Sequence, residues 1–89
     1  MNGIETLSAK MGNKILAAGT HAIKIQGFIA RVDDTTVTDL VVNGVTVSSP
    51  TDYWPSGTTF ASGELFLFAA TDLITSITVG AGSVTVIRA

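Results

Sequence analysis

Asp39-Leu40-Val41-Val42-Asn43-Gly44-Val45-Thr46-Val47 is the stretch on which the fold turns. Asn43-Gly44 stands between two β-branched runs, and that dipeptide accepts the positive φ angles of a two-residue type I′ turn, whose twist matches the strands it joins. The reading is an antiparallel hairpin. Leu40 and Val42 fall on one face of its first arm and Val41 on the other, so both faces carry apolar groups and both need cover.

Outward from the hairpin the signals stay short and β-like. Upstream, His21 to Val32 reads as a half-buried strand, with Ile23, Ile25 and Ile29 on one face and Lys24 and Gln26 on the other. Gly27 marks a bulge or bend. Asp33-Asp34-Thr35-Thr36 is a turn whose carboxylates accept local backbone N–H bonds. Downstream, Ser48 to Gly57 holds two prolines, three serines and a glycine and is irregular. Four short strands follow: Thr58 to Ala61, the continuous apolar run Leu65 to Ala70 buried on both faces, then Leu73 to Val79 and Val84 to Ile87 joined by a hairpin loop at Gly80-Ala81-Gly82-Ser83. The expected fold is all-β, a small antiparallel sandwich or barrel of about 6–8 strands over residues 21–89.

Residues 1–20 precede it as an N-terminal segment. Ile4, Leu7, Met11 and Ile15 recur at helical spacing, but Gly3, Gly12 and Gly19 interrupt them. The same groups suit an extended arm that lies on a neighbour, and Lys14 to Ala18 also reads as a short first strand.

Composition points to association. Of 89 residues, 46% are hydrophobic and only 13% charged, about half of the ~25% usual in soluble domains. A chain this small hides a modest share of its surface, so it exposes apolar area, and contiguous exposed apolar area marks an interface. The expected contact residues are Ile4, Leu7, Met11, Tyr53, Trp54, Phe66 and Phe68, and the expected partner is a second copy. Residues 1–32 carry Lys10, Lys14, Lys24 and Arg31 against Glu5, while the remainder carries Arg88 against Asp33, Asp34, Asp39, Asp52, Glu64 and Asp72. Such asymmetry can steer the basic front of one copy onto the acidic body of the next.

Other classes fit poorly. The chain has no cysteine, so disulfides and thiolate metal sites are outside its chemistry. No apolar run is long enough for a membrane span, and the start lacks the basic and apolar regions of a secretory signal. A net charge of −2 with five Lys and Arg argues against nucleic acid as a partner. His21 is the single histidine and no Gly-x-Ser-x-Gly elbow accompanies it. Asp33, Asp34 and Asp39 lack regular calcium-ligand spacing, and Gly80 to Ser83 lacks the lysine of a phosphate loop. No catalytic residue, metal or cofactor is assigned. Tyr53 and Trp54 read either as a lid over the open end of the sandwich or as an anchor for a sugar or host-surface group.

The order of features resembles that of small virion proteins of tailed bacteriophages. It is carried by Gly27-Phe28-Ile29-Ala30-Arg31-Val32, by Asp34-Thr35 with Val37 and Leu40, and by Pro55-Ser56-Gly57-Thr58. Ile74-Thr75-Ser76-Ile77-Thr78-Val79 with Gly82-Ser83-Val84 completes the pattern. The resemblance covers about residues 21–89. It implies a non-enzymatic subunit located in the virion, as a capsid auxiliary or decoration protein, a neck protein or a head-fibre base. It also implies other virion proteins, such as the major capsid protein, as partners.

Overall fold

The computed structural model describes residues 13–89, and they form six strands with no helix among them. These are β1 (Asn13–His21), β2 (Ile25–Ala30), β3 (Thr36–Val42), β4 (Val45–Ser48), β5 (Leu65–Leu67) and β6 (Ile74–Arg88). The sheet runs β4-β3-β6-β2-β5, with β1 also paired to β6.

The central hairpin forms as read. Val42 pairs with Val45, and Asn43 and Gly44 adopt φ values of 50° and 82°. Asn43 also anchors the turn to the chain entering β6: its N–H donates to the Leu73 carbonyl at 2.9 Å, and its Oδ1 accepts from the Leu73 N–H at 2.9 Å.

β6 organises everything else. Fifteen extended residues would span about 46 Å at ~3.3 Å each, yet the longest dimension of the molecule is 34 Å. The strand therefore bends, and it does so at Gly80-Ala81-Gly82, opposite a bulge in β1 between Ala17 and Gly19. Small residues on both strands let the ribbon turn a corner and pass from one half of the barrel to the other. The first half of β6 pairs with β3, from Ile74 opposite Val42 to Ala81 opposite Thr36. The second half pairs with β2, with partner numbers descending as β2 ascends: Gly27 with Ile87, Phe28 with Val86, Ile29 with Thr85, Ala30 with Val84. Ile25 closes the figure by bridging both ends of the strand, at Ile74 and at Arg88.

Several sequence expectations change here. Gly80 to Ser83 is a bend inside one strand and not a hairpin loop, because β1 lies alongside both arms and keeps them continuous. Lys14 to Ala18, one of the readings of the N-terminal segment, falls within the longer strand β1, while Ile4, Leu7 and Met11 lie outside the described residues. The His21–Val32 strand is shorter, and after the bulge at Gly27 it is Phe28 and Ala30 that enter the core, leaving Ile29 half-buried. Thr58 to Ala61 contributes only a Thr35–Phe60 bridge. The run Leu65 to Ala70 holds a three-residue strand covered on one face alone, with Phe66 turned to the core and Leu65 and Leu67 exposed. Asp33 accepts a bond from a remote N–H, that of Ser62 at 2.9 Å, and not from its own turn.

The core sits inside the bend. Phe28 is fully buried at its centre, ringed by Trp54, Phe60, Phe66 and Phe68 at centroid distances of 5.2–6.2 Å. Leu16, Ile25, Val37, Leu40, Ile74, Ile77, Val84 and Val86 fill the rest. Most ring pairs meet edge to face, the arrangement that sets a positive ring edge on a negative ring face.

Candidate interaction surface

Of the aromatics expected at an interface, Trp54 and Phe68 are buried in the core, as the lid reading has Trp54, while Tyr53 and Phe66 are partly buried against it. Trp54 retains 7% of its exposure and meets Phe60 and Phe66 edge-on at 5.3 and 5.0 Å. The irregular segment folds inward because Pro50, itself buried, accepts bonds from the N–H groups of Tyr53 and Trp54 and turns them toward Phe28. Tyr53 is half-buried, with its hydroxyl donating to Asp72 Oδ2 at 2.9 Å. Its pKa is raised, first by burial and then by the hydrogen bond to Asp72 and the nearby charges of Asp72 and Asp52. Phe66 and Phe68 close the same cluster from β5 and the residue after it. The aromatic cluster thus fills the barrel from one side, with Tyr53 and Phe66 partly exposed at its rim.

The surface that does face outward follows from register. In the half built of β1, β6, β2 and β5, one row across the strands reads Ile15, Thr85, Ile29, Leu65 and the next reads Asn13, Ile87, Gly27, Leu67. These alternate with the core-facing rows that carry Leu16, Val84, Val86 and Phe28, so they lie on the outer side. Leu67 leans across Gly27: a Cβ at position 27 would lie 2.6 Å from Leu67 Cδ2 and 2.5 Å from the Phe66 carbonyl oxygen. Ile87 and Gly27, in the middle of these rows, are buried and Ile29 and Thr85 half-buried, so the exposed aliphatic groups of this face stand at its two flanks, on β1 and β5. Ile15 is 58% exposed, Leu67 48% and Leu65 38%. Neither row contains a charge.

The other half shows the opposite character. Thr20, Asp39, Val41, Thr46, Ser76 and Thr78 line a shallow cleft on the β1-β6-β3-β4 side, and the Thr20 and Thr78 hydroxyls meet at 3.0 Å. Hydroxyl groups keep hydrogen-bonding capacity toward water, whereas in the opposite rows only the Asn13 and Thr85 side chains offer any. One barrel therefore presents a hydroxyl-lined cleft on one side and exposed aliphatic groups on the other, with Val45 at the hairpin tip also 63% exposed.

Charged groups collect at the two ends of β2. Beyond its start, Lys14, His21 and Arg88 line an open cleft of about 420 Å³ with Leu16, Thr20, Ala22 and Ile23. Beyond its end, Asp33, Asp34 and Glu64 line another with Thr59, Phe60 and Ala61. His21 Nε2 lies 2.8 Å from the Ala17 carbonyl across the β1 bulge. Among the described residues, no group of three or more His, Cys, Asp or Glu is placed to hold a metal ion, and no helix is long and apolar enough to cross a membrane. Comparison of the chain with family models, curated proteins and solved structures finds no match.

Proposed function

We propose that this chain is a non-enzymatic structural subunit of a tailed-phage particle, a capsid auxiliary, neck or fibre-base protein that works by contacts between copies and with neighbouring virion proteins. The observation that carries the assembly half of this reading is the charge-free outer face centred on Ile15, Ile29, Leu65 and Leu67. Exposed aliphatic side chains on β1 and β5, flanking a face that carries no charge, are costly in water and are relieved when a second copy lays the same face against them, as sheets pack about 10 Å apart in sandwiches. Such a contact is isologous and produces a pair. The particle half rests on the resemblance of residues 21–89 to small phage virion proteins.

Light scattering of the purified chain over a micromolar concentration series tests it. The mass should be that of at least two copies, and at about 0.5 M salt, where contacts between exposed charges are screened, Leu67→Glu should reduce it to one while circular dichroism stays unchanged. A native chain that remains a single copy throughout the series would refute the assembly reading. Purified particles that lack the chain, from a host strain carrying its gene in a phage genome, would refute the particle reading.

A further inference from the structure

The two charged clefts lie beyond opposite ends of β2, Lys14, His21 and Arg88 at one end and Asp33, Asp34 and Glu64 at the other. Six residues of strand separate them by about 20 Å. Lys24, just ahead of β2, adds a fourth basic residue near the first cleft: its carbonyl accepts from the Ala89 N–H, next to Arg88. Arg31 is the cation closest in sequence to the acidic cleft, and it is turned to β6, where its guanidinium donates to Ser83 Oγ at 3.2 Å. Asp33 and Glu64 each spend one carboxylate oxygen on a backbone N–H, of Ser62 and Ala61 respectively, which fixes their direction.

We infer that these clefts are the two halves of a second, head-to-tail contact between copies, in which the acidic rim of one copy enters the basic cleft of the next. The inference rests on the assembly reading above and adds the direction of growth. Complementary charge is the argument for the occupant: the groups that suit the basic cleft are carboxylates, and the same chain presents three of them at its far end, two with fixed orientation. A contact between two different patches does not close on itself by a two-fold axis, so it propagates from copy to copy. Pairs made through the aliphatic face then carry two basic and two acidic ends and extend into larger arrays. Because these charges are solvent-exposed, salt screens the contact while leaving the aliphatic one in place.

Sedimentation velocity on the full chain and two neutralised variants separates the possibilities. At low salt the native chain should grow beyond pairs, and at about 0.5 M salt it should stop at pairs. Lys14→Gln/Arg88→Gln and Asp34→Asn/Glu64→Gln should each stop at pairs in low salt, with growth weakened roughly tenfold or more. An equimolar mixture of the two should resume growth, because one supplies an intact acidic rim and the other an intact basic cleft. A native chain that stops at pairs in low salt overturns this inference and leaves the assembly reading standing, as does either variant assembling like the native chain. A mixture that fails to grow overturns it equally, since each cleft would then be meeting its own kind. A native chain found only as single copies removes both.

Discussion

Gly82 rests directly on Thr35: a Cβ added at position 82 would stand 2.9 Å from the Thr35 Cα and 3.0 Å from its Cβ. Thr35 is itself fully buried, its hydroxyl donating to the Val32 carbonyl at 2.8 Å while its backbone pairs with Phe60. The corner of β6 is therefore held by the turn that precedes β3. Gly82→Ala has to displace backbone atoms and abandon a φ of 79°, and it should cost about 2–4 kcal/mol in chemical denaturation, combining overpacking with left-handed strain. Loss of less than about 0.5 kcal/mol would show that the corner is not clamped there.

Phe28 and Leu67 provide a contrast between core and surface. Phe28→Ala opens a void among four rings and should lower stability by about 3–5 kcal/mol. Leu67→Gln, on a half-exposed side chain, should change stability by well under 1 kcal/mol while reducing the mass seen by light scattering. If both variants fail by unfolding alone, the outer face has a role inside the fold and not between copies.

Tyr53 is the only tyrosine, so phenolate absorbance near 295 nm reports it alone. Its folded pKa is raised above the ordinary value of 10.0, so the folded state favours the neutral phenol. The sign follows: this contribution to stability is complete below pH 10, and it declines as pH climbs from the unfolded value to the folded one. The absorbance midpoint should lie above 10 in the folded chain and return to about 10 in denaturant. Asp72→Asn should bring the folded midpoint down, since it removes the nearest negative charge. A folded midpoint at or below 10 would contradict the Tyr53–Asp72 geometry.

Asn43 performs two tasks, supplying a positive φ in the turn and accepting the Leu73 N–H. Asn43→Ala removes both and should cost about 1–2 kcal/mol by denaturant titration. Asn43→Gly keeps the backbone freedom and should lose less. Equal losses would assign the whole effect to the side-chain bond.

The hairpin at Asn43-Gly44, the all-β class and the turn before Thr36 were legible because each depends on a few consecutive residues with fixed dihedral demands. The corner in β6 was not. Gly80-Ala81-Gly82-Ser83 has the composition of a tight loop, and only the presence of β1 along both arms, set by register over more than sixty residues of chain, makes it a bend. The lid reading anticipated that Trp54 packs inward, but its partners were hidden for a similar reason: its environment is assembled from Phe28, Phe60 and Phe66, on three separate parts of the chain. Of the aliphatic outer face only the run Leu65 to Ala70 was legible as surplus apolar area; Ile15 and Ile29 are unexceptional alone and adjoin it only once the strands are aligned. Composition announced surplus apolar area; the residues carrying it had to be read from pairing.

Ile25 touches both termini of β6, and that single junction sets how the molecule comes apart. A strand shared by the two halves of a barrel cannot be released from one half while it stays ordered in the other, so partial melting is disfavoured and loss of structure is all-or-none. Most of the pairings that define β6 join residues far apart along the chain, so the same junction makes folding a late, concerted closure and not a stepwise accretion of hairpins.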